Sequence, residues 1–373
     1  MTKRQPNIEL LRLLAMLGII MMHMMNHGMV IMFTHPGQAS YYECWSLFAP
    51  GMNSINILIL ISGYFLVGRP FSVKRLAKLE SQVLFYTILI TLGFKLLTDV
   101  NIDFETWLYS FLPVTSDFYW YVTMYFGMYL FSPVLNKLIS ALSKSQLKMT
   151  CILGLVLLGA WTNIIFYSSG LNVAGGVSIA WFLLMYLCGA YIKLYYEPDG
   201  RWKKKALVSF GLTALLPLSR FLFEFLQTTP LEKIGLFEDL LWGFSVFYQY
   251  NSIIVIISSI LIFITFLNIN IKGETAGKII NTAASASFGV YLIHEHSLMR
   301  MLVWEELIKP YNWIDHPYLV PAALGAMLAL YAVCMVIELS RQALFKIWES
   351  DAGYNTFFDR LDDKLRSMWN GRN

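Results

Sequence analysis

Long apolar stretches alternate with short polar segments along the whole chain, and this pattern predicts the class of protein. Ten stretches approach or exceed the roughly 20 apolar residues that a helix needs to cross a bilayer. They lie at 8–33, 45–67, 76–98, 119–138, 147–167, 177–196, 206–226, 242–267, 283–303 and 318–340. The eighth contains the polar segment Gln249–Asn251, where a helix is expected to tilt or break. The pattern predicts an all-α integral membrane protein with about ten transmembrane helices in one bundle.

Basic residues are distributed unequally between the segments that connect these stretches. Ten spans place alternate connecting segments on opposite sides of the membrane. One set, which includes both chain ends, holds 22 Lys and Arg residues, whereas the other holds only Lys233 and Lys309. Cytoplasmic loops of membrane proteins carry an excess of Lys and Arg. We therefore expect both termini to be cytoplasmic, in a multi-pass protein of the plasma (cytoplasmic) membrane.

The composition excludes several other classes of protein. Hydrophobic residues make up 57% of the 373 residues and charged residues only 14%, whereas a typical soluble domain is about 25% charged. A disordered chain and a nucleic-acid-binding arm are excluded, and an ordinary soluble enzyme is disfavoured. The four cysteines lack the spacing of zinc or redox motifs.

The pattern also divides the chain into two regions. Residues 1–345 form the predicted transmembrane domain, and residues 346–373 form a tail in which aromatic and charged residues alternate. This alternation predicts a cytoplasmic amphipathic helix on the inner membrane surface. A solvated tail without a role is the alternative interpretation.

The first span carries ionisable residues, which are costly inside a bilayer and usually face a polar interior. Arg12 and His23 are eleven positions apart, so at about 100° per residue they share one face of a helix, with an axial separation of about 16.5 Å. Glu9 is spaced to pair with the guanidinium of Arg12. Snorkelling of Arg12 to headgroups and a helix–helix hydrogen bond from His23 are the structural alternatives.

Four further motifs follow this pair along the chain. They are ISGYFL at 61–66, KRLAKL at 74–79, YWYV at 119–122 and SFGVYLIH at 287–294. With the Arg-x10-His pair, they resemble the signature segments of the acyltransferase-three family of integral membrane acyltransferases. In the basic motif, Lys78 stands where the family pattern has a second Arg. The resemblance extends from residue 4 to about residue 300.

What the resemblance implies is transfer of an acyl group, usually acetyl, from cytoplasmic acyl-coenzyme A to a hydroxyl of a cell-surface or lipid-linked polysaccharide. Such a transfer needs a base for the hydroxyl proton, and imidazole titrates in a suitable range. His23 is the predicted base, and Arg12 and Glu9 complete the predicted catalytic set. A transient acetyl-imidazole on His23 is a second route.

The acyl donor carries several phosphates on a long arm. Lys74, Arg75 and Lys78 are predicted to bind the phosphates, with anchoring of the inner loops as the alternative. Arg12 suits a phosphate or a pantetheine carbonyl. The extended arm reaches about 14 Å, which is close to the separation of Arg12 and His23, so we expect it to lie along the first helix. The remaining predicted donor-site residues are Ser62, Trp120 and Tyr121.

The acceptor is expected to bind beyond His23, towards the outer face. The predicted acceptor-binding residues are Asn26, His27, Tyr291 and His294, with packing or helix capping as the rival explanation for His294. The spacing of His23 and His27 is compatible with a metal, but no HExxH-type carboxylate accompanies them. No metal cofactor is therefore predicted.

Two other functions are compatible with ten spans. A transporter or flippase of a lipid-linked sugar would also contain buried charges, but it would not depend on acyl-coenzyme A. A membrane assembly or sensor protein would use the 346–373 tail to bind its partners. A homo-oligomer is compatible with all three functions.

Overall fold

The computed structural model describes residues 5–161, 171, 173–227, 229–230 and 246–369, and every regular element in these ranges is a helix. The helices are α1 (Pro6–His27), α2 (Val30–Phe33), α3 (Ala39–Phe48), α4 (Ser54–Leu66), α5 (Val73–Leu97), α6 (Phe104–Phe111), α7 (Trp120–Ala141), α8 (Lys144–Leu155), α9 (Ile179–Tyr195), α10 (Trp202–Gln227), α11 (Ile253–Leu267), α12 (Glu274–Ser285), α13 (Ser287–His294), α14 (Ser297–Arg300), α15 (Leu319–Glu349) and α16 (Ala352–Trp369). Short 3₁₀ segments lie at Ala49–Asn53, Ala174–Gly176, Val246–Tyr248 and Pro310–Trp313, and π-helical turns at Val156–Ala160 and Met301–Ile308. The prediction of an all-α chain is confirmed.

A helix lies within each of the ten predicted spans. Of the described residues, five helical stretches are long and apolar enough to cross a membrane: Pro6–His27, Ala39–Leu66, Val73–Leu97, Trp202–Leu226 and Leu319–Ile347. Helices α9 and α11 are shorter but also apolar. Some of the predicted features lie outside the described residues: 162–167 of the fifth span, 242–245 of the eighth, Lys233, and 370–373 of the tail.

Among the described residues, the first, eighth and ninth predicted spans are interrupted. The first, 8–33, is broken between His27, where α1 ends, and Val30, where α2 begins. The eighth breaks where its polar segment predicted, since α11 begins only at Ile253, after Ser252 has accepted a hydrogen bond from the backbone of Val255. The prediction of one continuous helix over 283–303 is wrong. Helix α13 ends at His294, and the imidazole of His296 caps the next helix by accepting from the backbone N–H of Leu298.

Helix α1 occupies the centre of the bundle. It packs against α4, α11, α12, α13 and α15, and side chains such as Ile8 and Ile20 are fully buried. Pro6 begins the helix, where its missing N–H costs no hydrogen bond. Gly28 ends it in contact with the loop after the second π-helical turn, because a Cβ there would lie 2.3 Å from Cγ of Pro310. The helix that carries the predicted catalytic residues is therefore fixed along its whole length.

The Lys- and Arg-rich connecting segments converge at one end of the bundle, as their shared charge predicted. The contacts that join them are Asn7 to Phe266, Gly200 to Asn268, Asn136 to Arg69, Lys74 to Asn355 and Lys137 to the ring of Trp369. We call this end of the bundle the basic end.

The glycine of the ISGYFL motif allows two helices to touch. A Cβ on Gly63 of α4 would lie 2.2 Å from the carbonyl oxygen of Tyr186, and one on Gly189 of α9 would lie 2.4 Å from that of Leu60. Small residues permit such close backbone approach between membrane helices. This part of the motif therefore serves packing.

The tail forms a helix, α16, which contacts α5 at the basic end. The carboxylate of Asp362 accepts a hydrogen bond from the backbone N–H of Val73 at 2.6 Å. The tail thus joins the bundle at the start of α5. Its position on a membrane surface, and the division of the chain at residue 345, stay predictions.

Candidate active site

Three cavities lie one after another, starting at the basic end. We call them the basic-end cavity, which is lined by Arg75, Lys78 and Arg341, the central cavity, which is lined by Arg12, and the histidine cavity, which is lined by His23 and His27. The first two are each about 280 Å³, and the histidine cavity is about 530 Å³. Leu79 and Tyr125 line both the basic-end cavity and the central cavity, so these two are neighbours. Trp120 lines the histidine cavity, and the adjacent Tyr121 lines the central cavity. The start of α7 therefore separates the second cavity from the third.

Two of the three basic-motif residues line the basic-end cavity. Helix α5 begins at Val73, where the side chain of Ser72 accepts from the backbone N–H of Arg75. The guanidinium of Arg75 lies 5.9 Å from the centre of the Tyr129 ring. Nζ of Lys78 is 2.5 Å from Oε2 of Glu349 on α15. These cations therefore face one pocket, as an anion-binding site requires.

Lys74, the third residue of the motif, is not among the residues that line this cavity. Its ammonium donates a hydrogen bond to the side-chain oxygen of Asn355 on α16. The cation of Lys74 is thus directed to the tail helix, which distinguishes it from Arg75 and Lys78.

A third cation reaches the basic-end cavity from the last long helix. Arg341 lines the cavity, and its Nε and Nη2 donate to the two carboxylate oxygens of Glu338 at 2.9 and 2.8 Å. Glu338 is fully buried and also accepts from Tyr86 and Gln342. Such a two-point pair fixes the guanidinium plane. Arg341 is therefore a firmly positioned cation.

Arg12 of the first predicted span and Ser62 of the second line the central cavity. Nη1 of Arg12 lies 3.1 and 2.8 Å from the two carboxylate oxygens of Glu9, so the predicted pair is formed. The hydroxyl of Ser62 donates to the carbonyl of Leu58 in its own helix. The hydroxyl of Tyr291 is buried and has no hydrogen-bond partner among the described residues. It is an available donor at this cavity.

Predicted residues from the two ends of the chain meet at the histidine cavity. Nδ1 of His23 is 3.1 Å from Nε2 of His294 and 2.9 Å from Oε2 of Glu295. Nε2 of His27 is 3.5 Å from the same carboxylate oxygen. Asn26 lines the cavity beside them. Three imidazoles and one carboxylate thus form a single cluster, most of it buried.

The hydrogen bonds assign the proton on His23. Nδ1 of His294 is 2.6 Å from the carbonyl oxygen of Val290, so it must donate, and Nε2 of a neutral His294 carries a lone pair. Both groups that face Nδ1 of His23 are then acceptors, so this nitrogen carries the proton. In neutral His23 the other nitrogen, Nε2, is bare, on a ring that lines the cavity. This tautomer is the one that a general base requires.

Interrupted helices and a turn shape this cavity. His23 and His27 lie on the last turns of α1, whereas Glu295 follows directly on the end of α13. The opposite wall contains Gly175, whose φ of 65° few other residues adopt. Its carbonyl accepts a hydrogen bond from the backbone of Tyr250, another lining residue, at 2.9 Å. The cavity is therefore open where regular helix stops.

Three residues that line these cavities, Arg341, Glu295 and Arg300, were not among the site residues predicted from the sequence. Arg341 has a sequence signal, since Glu338 and Arg341 repeat the Glu-x-x-Arg spacing of Glu9 and Arg12. Glu295 directly follows the late motif, but nothing local pairs it with α1. Arg300, whose guanidinium is 3.4 Å from Glu295, has no signal beyond a charge in an apolar stretch.

A comparison with known protein families identifies the family of the chain. The chain matches the sequence model of the acyltransferase-three family, described as an acyltransferase domain, over residues 5–338. Since this match covers most of the chain, the protein belongs to that family of integral membrane acyltransferases. No curated protein and no solved structure matches the chain. It is therefore a multi-pass membrane protein of a transferase family, which acts on an acyl donor and an acceptor.

Proposed function

We propose that the protein is a membrane O-acetyltransferase that uses cytoplasmic acetyl-coenzyme A and acts on a hydroxyl of a cell-surface or lipid-linked polysaccharide, with His23 as general base. The observation that carries the proposal is the hydrogen-bonding of His23. Two acceptors at Nδ1 leave Nε2 with a lone pair in a cavity of about 530 Å³. That is large enough for part of a sugar chain.

The reaction can be written with these groups. The acceptor hydroxyl oxygen attacks the thioester carbonyl carbon, and its proton passes to Nε2 of His23. The carbonyl oxygen becomes an oxyanion, for which the hydroxyl of Tyr291 is our candidate donor. Cleavage of the carbon–sulfur bond then releases the thiolate, which takes the proton from His23. The carboxylate of Glu295 stabilises the intermediate imidazolium through Nδ1.

The donor is proposed to enter from the basic end. Arg75, Lys78 and Arg341 would attract its phosphates, and Arg12 would bind the phosphate from which the arm extends through the adjoining central cavity. Since α1 is unbroken from Pro6 to His27, the axial distance from Arg12 to His23 is about 16.5 Å. From a phosphate at Arg12 the arm reaches about 14 Å, and the side chains of Arg12 and His23 would have to cover the rest of that distance. The thioester would then meet His23 at the boundary formed by the start of α7.

The acceptor is proposed to bind from the opposite end, against Asn26 and His27. Trp120, which the sequence assigned to the donor, lines the same cavity and is proposed here to contact the acceptor instead. Trp120 lies 5.9 Å from Tyr250, with their rings stacked. Aromatic faces beside amide and imidazole groups suit a saccharide, which offers both apolar faces and hydroxyls. In this arrangement only the acyl group has to cross the membrane.

The experiment that tests the proposal measures the acetyl groups of surface glycans. Cells that make the protein receive an isotope-labelled acetyl source, and mass spectrometry measures the labelled acetyl ester on their extracted glycans. We expect labelled ester in wild type and a decrease of about 10²–10⁴-fold in His23→Ala, the usual effect of removing a general base. His316→Ala is the matched control, because His316 is an exposed histidine.

Labelled acetyl-coenzyme A added to inside-out membrane vesicles identifies the donor. Transfer of label to glycan is expected in wild-type vesicles and not in those with His23→Ala. If the glycan acetyl content is the same with and without the protein, while the protein level is normal, the enzyme proposal is wrong. Movement of a lipid-linked sugar without label transfer would instead support a flippase.

A further inference from the structure

The cluster in the histidine cavity contains more acceptors than one proton can serve. A single N–H on Nδ1 of His23 faces both Nε2 of His294, at 3.1 Å, and Oε2 of Glu295, at 2.9 Å. It can align with only one of them. Within the described part of the chain, Oε2 of Glu295 accordingly has no aligned hydrogen bond. Nε2 of His27 also lies 3.5 Å from this oxygen. A buried oxygen without an aligned hydrogen bond is unfavourable, and a cation bound between it and the two imidazoles would satisfy it.

We propose that His23, His27 and Glu295 form a binding site for a divalent transition metal of the zinc class. Their donor atoms, Nδ1, Nε2 and Oε2, all lie within 4.8 Å of one another. Tetrahedral zinc, with bonds of about 2.0–2.1 Å, holds its ligand atoms about 3.3 Å apart. The separations of 2.9 and 3.5 Å from Glu295 to the two histidines bracket this value. Nδ1 of His23 and Nε2 of His27 lie within 4.8 Å of each other, and side-chain rotation would have to bring them to the same spacing.

The chemistry of the donors favours zinc over magnesium or calcium. Two imidazoles and one carboxylate, with a fourth position open, form a common zinc donor set, whereas the harder cations prefer oxygen ligands. His294 adds to this preference. Nδ1–H of His294 donates to the carbonyl of Val290, and metal-binding histidines are usually held by such a hydrogen bond. The bare Nε2 of His294 faces Nδ1 of His23, which is one of the proposed ligand atoms.

Sequence spacing indicated only the two histidines of this site and led to the expectation that no metal binds. The histidine pair of α1 lacks a local carboxylate, and Glu295 reaches it from a segment far along the chain, where α13 ends. The carboxylate that the spacing argument missed is therefore supplied by the fold.

Metal binding and base catalysis at His23 exclude each other. A metal on Nδ1 leaves the ring proton of a neutral imidazole on Nε2, where the proposed reaction needs a lone pair. Zinc is therefore expected to inhibit acyl transfer. This consequence rests on the proposed function, whereas the metal site itself does not.

The test is a titration of the purified full-length protein in detergent with Co²⁺, whose visible absorption distinguishes four-coordinate from hydrated ions. We expect an intense visible band that saturates at one cobalt per chain and is removed by Zn²⁺. His27→Ala and Glu295→Gln should each weaken binding by about 100-fold or more, beyond what a supporting residue typically contributes. The double variant His35→Ala/His316→Ala removes two exposed histidines and should bind cobalt as wild type does.

The proposal is overturned if wild type gives no such band, or if Glu295→Gln binds cobalt as tightly as wild type, whatever the control variant does. Melting curves of each variant establish that it is folded, and His27→Ala decides the matter if Glu295→Gln does not fold. Acyl transfer is not measured in this titration. A missing band therefore overturns the metal site and leaves the proposed function unaffected. A protein that binds cobalt but has no transferase activity would overturn the proposed function and leave the metal site unaffected.

Discussion

The basic-end cavity and the histidine cavity are built in opposite ways. At the basic end, Arg75, Lys78 and Arg341 lie on two long, regular helices, and Arg341 is held by a carboxylate three residues away. In the histidine cavity, His23 is held by residues that follow it by more than 270 positions, at the end of a short helix. Lys78 is also paired over a long range, with Glu349. The two sites therefore differ in their backbone: one lies between regular helices, and the other where helices are interrupted.

This difference reflects what each site has to do under the proposed mechanism. A group with several phosphates is attracted by a cluster of cations, and small shifts of those cations change its affinity little. A proton transfer needs its atoms within hydrogen-bonding distance. Long-range contacts at helix ends can bring the donor and acceptor atoms of a proton transfer within this distance, because side chains there are not restricted to one helical face. Changes at the two cavities should therefore alter different kinetic constants.

The largest effect is expected from changing the distance between the two cavities. Insertion of four alanines between Met16 and Ile20 moves His23 one turn further from Arg12, and transfer should fall by about 10²–10⁴-fold, as for loss of the base. Labelled acetyl transfer in vesicles measures this. The same insertion at the exposed turn around Gly200 should have little effect.

A second variant tests the distance without lengthening the helix. In His23→Ala/Ile19→His the imidazole moves one turn towards Arg12, and the protein should stay inactive. Appreciable transfer by either variant would show that the separation of Arg12 and His23 does not matter.

An intermediate effect is expected at Glu295. Glu295→Gln keeps the size of the side chain but removes the charge beside Nδ1 of His23. A hydrogen bond to a charged group contributes about 1.5–3 kcal/mol, so kcat should fall about 10- to 100-fold while KM for the donor is unchanged. Glu306→Gln, at an exposed carboxylate paired with Lys309, is the control. An equal loss in both variants would contradict a positioning role for Glu295.

A smaller effect, on the other kinetic constant, is expected at the basic end. Arg75→Ala should raise KM for acetyl-coenzyme A about 10-fold, which corresponds to loss of about 1.4 kcal/mol of phosphate binding, and should leave kcat nearly unchanged. Initial rates at varied donor concentration measure both constants. Lys278→Ala removes an exposed cation that pairs with Glu274, and it should change neither. A fall in kcat alone would contradict the division between the cavities.

The smallest effect is expected from Lys74, although it belongs to the same basic motif. Its ammonium is directed to Asn355 rather than into the cavity. Since this half-buried ammonium lies outside the cavity lining, Lys74→Ala should change KM for the donor by less than about twofold. If Lys74→Ala and Arg75→Ala raise KM equally, phosphate binding follows the motif and not the cavity lining.

The sequence by itself determined the helical membrane class, the grouping of the basic segments and the pairing of Glu9 with Arg12. These follow from apolar length, loop charge and a spacing of three residues, which are local properties of a helix. Only the tertiary structure decided which cations share a cavity and how the late span is broken. It alone placed Glu295 and His294 against His23, because contacts between residues far apart depend on how the helices pack and where they end. The proton on Nδ1 of His23, and with it the proposed chemistry, follows from that packing.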